Sequence, residues 1–166
     1  MIRSCTARKG EIAVQRAILR ALELGLDISH CVEDYEVTQH VFEKLVEEKT
    51  IDPCFVTHCP KELIPLAKTN PDDPAVLDVF ELVMNGQEIA PGYSELNDPV
   101  VQRERLVEQS GGEQHKIDEE FLHALEYGMP PAGGMGMGID RLIMLLTGAD
   151  SIREVILFPH LKPRGE

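Results

Sequence analysis

Asn85-Gly86, set between Phe80-Glu-Leu-Val-Met84 and Gln87-Glu-Ile-Ala90, narrows the fold of this chain more than any other feature. A two-residue Asn-Gly loop joins antiparallel strands well, because its turn needs positive φ at both positions and these residues tolerate that. The spacing predicts a hairpin in which Met84 faces Gln87, Val83 faces Glu88 and Glu81 faces Ala90. Side chains alternate along a strand, so Glu81, Val83, Glu88 and Ala90 share one face. Glu81 and Glu88 are then diagonal neighbours, roughly 7–8 Å apart at the backbone. Two carboxylates at that reach repel each other unless a cation lies between them. Mg²⁺ carrying phosphates fits, since it commonly uses one or two carboxylates plus substrate oxygens. An exposed sheet face with two solvated acids is the other reading of the same pattern.

The segments around the hairpin are mixed. Apolar residues at helical spacing predict helices over residues 11–25, with Gly25 as the stop, and over about 33–48. Cys54-Phe-Val-Thr57 reads as a short strand, and the proline-bearing stretch 60–75 as a loop able to carry function. Pro91-Gly92 reads as a break. Residues 100–110 and 118–127 read as helices, with a turn at 110–115. A glycine-rich strand, 133–138, runs into a helix bearing Ile139, Leu142, Ile143 and Leu146, stopped by Gly148, and Val155-Ile-Leu-Phe158 reads as a last strand. An antiparallel hairpin among helices points to an α+β fold, with residues 1–166 as a single domain.

Two further motifs carry chemistry. In Gly133-Gly-Met-Gly-Met-Gly-Ile-Asp-Arg141, glycines 134, 136 and 138 alternate and leave one face without side chains. A planar base fits such a floor, with the Arg141 guanidinium stacked over it. Close strand packing also calls for small residues. A dinucleotide-binding fingerprint fails, because Ile139 stands where its third glycine belongs. In Tyr93-Ser-Glu95-Leu-Asn-Asp-Pro99, a carboxylate beside a phenol can receive an ammonium group, while Asp98 and Pro99 match a helix N-cap and first turn.

Charge excludes one class of function for the chain acting alone. With 16 basic and 29 acidic side chains the formal charge is -13, the wrong sign for gripping a polyanion such as RNA. No apolar run reaches the roughly 18 residues of a membrane span, and no secretory signal opens the chain, so the expected compartment is the cytoplasm. Cys54, His58 and Cys59 raise a zinc question, yet the sequence offers no fourth ligand at suitable spacing, and buried reduced thiols are the stronger reading.

The three motifs, in this order, resemble the class II lysyl-tRNA synthetase family, in the C-terminal part of its catalytic domain. Pro65-Leu-Ala-Lys68, Phe80-Glu-Leu82, Asn85 to Ala90, Tyr93 to Pro99, Gln102-Arg-Glu-Arg105, Leu125-Glu-Tyr-Gly128, Gly134 to Arg141 and Ile152 to Pro159 carry the likeness, over roughly residues 35–163. The resemblance implies that Glu81 and Glu88 hold Mg²⁺ on ATP. It implies that Arg141 is catalytic and stacks on adenine, with Gly136 and Gly138 shaping the slot. It implies that Glu95 pairs with the lysine ammonium and that Tyr93 lines that pocket. ATP and lysine would be the ligands, and tRNA would be reached only through domains this sequence does not contain. The family's first and second motifs have no counterpart here, including the arginine that clamps the α-phosphate. Pro91 stands where the family usually has Asn, and Ile64 where it has Ser. The expectation is a partial active site, inactive alone, that self-associates or joins a complementary half. The alternative is an inactive paralogue serving as a binding or regulatory module, and a weaker one is a relative that transfers lysine to protein.

Overall fold

Asn85 and Gly86 take φ of 51° and 74°, the double positive that the hairpin loop requires. The loop joins β3 (Val79–Met84) to β4 (Gln87–Ser94), the centre of a five-stranded sheet. The computed structural model describes residues 3–6, 19–110 and 117–160. β1 (Arg3–Thr6) runs parallel to β2 (Cys54–Thr57), while β2, β3, β4 and β5 (Gly133–Met135) are antiparallel in that order. Helices flank the sheet: α1 (Asp34–Leu45), α2 (Pro99–Gln109), α3 (Glu119–Glu126), α4 (Ile139–Thr147) and the single turn α5 (Ile152–Val155). A 3₁₀ turn, Glu47–Lys49, follows α1. The α+β class expected from the sequence is the one observed.

Three local expectations are corrected. Glu81 faces Pro91, not Ala90, because the ladder slips between Leu82 and Val83 and leaves Ile89 as an extra residue. Pro91-Gly92 does not break β4, which continues to Ser94. Pro91 has no N–H to give, but its carbonyl accepts from Gly136 N–H at 2.9 Å, so the strand loses little there. The tail 155–158 is not a strand: Ser151 caps a helical turn by accepting from Arg153 N–H, and Leu157 and Phe158 are exposed. Of the first helix, residues 19–23 are helical and Gly25, at φ 67°, follows them; residues 11–18 lie outside the described part. So does most of the expected turn at 110–115.

The core lies where the loop after β2 meets the hairpin. Cys59, Ala67, Leu77 and Val79 form its cluster, with Leu63, Ile64 and Tyr93 packed against it. Leu77, Val83 and Ile89 are almost fully buried, each contributing about 1.5–3 kcal/mol relative to exposure. The Gln102-Arg-Glu-Arg105 motif fastens this loop. Asp98 caps α2 by accepting from Val100 and Val101 N–H at 2.9 and 3.3 Å. That orients Gln102 to donate to the Pro65 carbonyl at 3.3 Å, and Arg105 to donate to the Ala67 carbonyl and the Thr69 hydroxyl. Arg103 makes a two-pronged ion pair with Glu119 at 2.8 and 2.7 Å, tying α2 to α3. Both partners are exposed, so this pair adds little stability.

Candidate functional site

Register decides which side chains meet. Val83 pairs with Glu88, and Glu81 lies two residues from Val83 on β3, so the two acids project from one face as the alternation predicts. The slip at Ile89 changes the partner of Glu81 without moving either acid to the other face. Both are half-buried. The Glu81 carboxyl is pushed up to about 7, first by burial and then by the charges of Glu88, Glu47 and Glu43. Those last two acids come from α1 and the 3₁₀ turn, and the sequence reading missed them. Their signal was present in Phe42-Glu-Lys-Leu-Val-Glu47, a helix end placing two acids four residues apart.

Glu47 accepts from Glu88 N–H at 3.0 Å. Burial raises its carboxyl above the usual range, the Glu88 N–H bond opposes this, Glu43 and Glu88 add to the rise, and Arg141 offsets part of it. Cys59 sits behind the same face, its thiol pushed up to about 12 chiefly by burial and also by Glu81 and Glu88. A thiol so placed is neutral and a poor metal ligand. Among the described residues no group of three or more His, Cys, Asp or Glu side chains is arranged to hold a metal, and Cys54, His58 and Cys59 form none. Glu81 and Glu88 are two oxygen donors beside one another. That set suits a hard cation whose remaining ligands come from a bound substrate.

The glycine run lies along β4. Gly133 and Gly134 pair with Ser94 and Tyr93; beyond β5, Gly136 N–H donates to Pro91 and Gly138 N–H to Ile89, both at 2.9 Å. A Cβ on Gly136 would meet nothing, so an open floor lies there. A Cβ on Gly138 would stand 3.5 Å from Arg141 Cδ, so the arginine borders that floor. Arg141 projects from the first turn of α4 and donates from Nη1 to the Glu88 carbonyl at 2.7 Å. That bond lies in the guanidinium plane.

Glu95 sits at the other end of the run. Its N–H donates to the Ala132 carbonyl at 2.9 Å, and its carboxylate lies where a Gly134 side chain would otherwise be, with Oε1 2.6 Å from the Cβ position. Only a residue without Cβ leaves room for it. Tyr93, paired with Gly134, is half-buried and packs on the Val79 cluster. A cleft of about 550 Å³ is walled by residues of β3, β4 and β5, Phe80, Tyr93, Gly134 and Met135 among them, so it adjoins the Tyr93 end of the glycine run. The structure therefore groups Glu81, Glu88, Gly138 and Arg141 at one end of a face, and Tyr93, Gly134 and Glu95 at the other.

Comparison with known proteins gives this arrangement a family. Residues 7–162 match the model of tRNA synthetases class II (D, K and N). A lysine–tRNA ligase of Syntrophomonas wolfei subsp. wolfei is 52% identical over 151 residues, which are 87% of this chain and 31% of that protein. Those of Staphylococcus haemolyticus and Bacillus subtilis are each 48% identical, over 90% and 93% of this chain and 32% of their own length. The chain thus spans about a third of the length of the relatives it matches. With the family model covering nearly all of it, and identities near one half, the chain belongs to the class II tRNA synthetases.

Proposed function

We propose that this chain supplies part of a lysyl-tRNA synthetase active site, the part that holds magnesium-ATP and lysine while lysine is joined to the α-phosphate. The observation that carries this reading is one face presenting two adjacent carboxylates, a bare glycine floor bordered by Arg141, and a carboxylate at Glu95. Glu81 and Glu88 would hold Mg²⁺. When bound, the metal would neutralise charge on the triphosphate. Arg141 would stack on adenine over Gly136 and Gly138, and Glu95 would pair with the lysine ammonium beside Tyr93. With both ligands so placed, the lysine carboxylate is directed at the α-phosphate and pyrophosphate leaves. Such sites work by positioning and by fixed charge.

The chain corresponds in this reading to the C-terminal portion of the catalytic domain, residues 1–166 forming one unit. The family's α-phosphate arginine would come from elsewhere, and the loss of such a stabiliser costs about 10²–10³ in rate. tRNA would be contacted through domains outside this sequence, and the setting would be the cytoplasm; no described helix is long and apolar enough to cross a membrane. Lysine-dependent exchange of pyrophosphate into ATP tests the whole. The expected result is no exchange by the chain alone and exchange once the remaining two thirds of a related synthetase is supplied. Exchange in neither case, together with no nucleotide binding, would favour an inactive relative acting as a binding module.

The same reading extends to association. Among the described residues β5 pairs with β4 alone, Met135 within it is exposed, and Ile139, Leu146, Leu157 and Phe158 farther along the chain are exposed too. An unpaired edge beside apolar surface recruits another chain. Light scattering is expected to give a mass above 18.5 kDa for the isolated chain, dropping to one copy per complex when a complementary half is added. A clean monomer at all concentrations removes this part of the proposal.

A further inference from the structure

The segment after α1 grips the hairpin at three points. Gly86 N–H donates to the Thr50 carbonyl at 2.9 Å and Asn85 N–H to the Ile51 carbonyl at 3.0 Å. Both are backbone bonds, so neither depends on which side chains stand at 50 and 51. The third is a side-chain bond: the Glu88 N–H donates to Glu47 Oε1 at 3.0 Å, across 41 residues of sequence. On the other side of the same residue, Arg141 donates to the Glu88 carbonyl at 2.7 Å. Residue 88 is therefore held at its N–H by an acid and at its C=O by a base. It lies directly beside Ile89, the residue left over where the ladder slips. A bulge re-aims the side chains around it and weakens regular pairing, so the backbone there needs outside support to hold one geometry.

An acid is an expensive choice for this support. Glu47 shares its surroundings with Glu43, Glu81 and Glu88, and like charges in one place oppose each other. A neutral acceptor of the same length would make the same hydrogen bond without that repulsion, so the bond itself does not require the charge.

We propose that Glu47 is a positioning residue for the magnesium-ATP site: by accepting the Glu88 N–H it fixes the bulged backbone that aims the Glu88 carboxylate, while Arg141 fixes the other end of the same residue. The inference rests on the reading of Glu81 and Glu88 as the holders of the metal. Glu47 does not touch the metal; it acts through Glu88. Groups that orient a metal's ligands typically matter by about 10–100-fold in affinity.

Two measurements on wild type, Glu47→Ala and Glu47→Gln test it, in the whole chain with its complementing half present. Calorimetry with magnesium-ATP is expected to show about 10–100-fold weaker binding for Glu47→Ala. Glu47→Gln, which keeps an oxygen in place, is expected to stay close to wild type. Hydrogen exchange at the Glu88 amide is expected to be about tenfold faster in Glu47→Ala and protected in Glu47→Gln. A Glu47→Ala protein that binds as wild type and keeps the amide protected overturns the proposal. So does a Glu47→Gln protein as weak as Glu47→Ala, since charge and not positioning would then be at work. Failure of the wild type to take up magnesium-ATP would sink the nucleotide reading itself, and the role of Glu47 with it. An intact wild-type affinity beside an indifferent Glu47→Ala sinks Glu47 alone.

Discussion

Gly134→Ala is expected to cut lysine affinity by about a hundredfold while the protein still folds. The added Cβ would stand 2.6 Å from Glu95 Oε1, a separation no methyl group and oxygen can keep. The nearest atom in the way is the tip of a long side chain, so the carboxylate swings aside at a cost of about 0.5–1.5 kcal/mol. Removing one member of a desolvated charge pair costs about 2–5 kcal/mol of binding, and a hundredfold corresponds to about 2.7 kcal/mol. The substitution therefore separates binding from stability. Calorimetry with lysine and urea denaturation of the same protein check the two halves. Glu95→Gln should reproduce the loss. Unchanged lysine affinity in Gly134→Ala would show that the ammonium does not meet Glu95.

The second large effect is on pH. Magnesium-ATP affinity should rise from pH 6 to pH 8, with Glu81 contributing up to about tenfold per unit below pH 7. Burial, then Glu88, Glu47 and Glu43, raise this carboxyl to about 7 in the unliganded chain. A metal needs it ionised, so binding below pH 7 must expel a proton. Stability of the free protein runs the other way. Between the ordinary value of 4.5 and about 7, the folded chain keeps a proton that the unfolded chain releases. The contribution of Glu81 to stability is therefore greatest below that window, falls as pH rises through it, and levels off above 7. Titrations at pH 6, 7 and 8 on wild type and Glu81→Gln isolate the contribution, since the nucleotide's own protonation is common to both. A slope that Glu81→Gln leaves intact would assign the proton to another group.

These effects rest on features that differ in how plainly the sequence shows them. Asn85-Gly86 announces its own φ angles, and with them the pairing of Met84 with Gln87 and Val83 with Glu88. That pairing is enough to set Glu81 and Glu88 on one face. Asp98-Pro99 announces the start of α2 for the same reason: capping chemistry is local. The slip at Ile89 is not local. Ile89 and Ala90 are both buried, and two consecutive buried residues in a strand were its trace in the sequence, but strict alternation hides it. Pro91 looks like a break only until its carbonyl is seen to serve as an acceptor for the glycine run. The apolar tail from Val155 looks like a strand, yet the Ser151 cap starts a helical turn that ends at Val155, and residues 156–158 join no sheet. Glu43 and Glu47 leave a trace as two acids four residues apart, but the bond between Glu47 and the Glu88 amide, 41 positions away, is one that no side-chain pattern reports.

The glycine floor at Gly136 and Gly138 continues directly from β5, which among the described residues is an edge strand only three residues long. A strip fastened along a single flank opens readily. Anything laid against its free flank would tighten the strip, and a nucleotide arriving afterwards would lose less freedom on docking. The reverse holds with equal strength, because such coupling is mutual. Completing the sheet and filling the slot thus become two views of one equilibrium, and each should be measurable through the other.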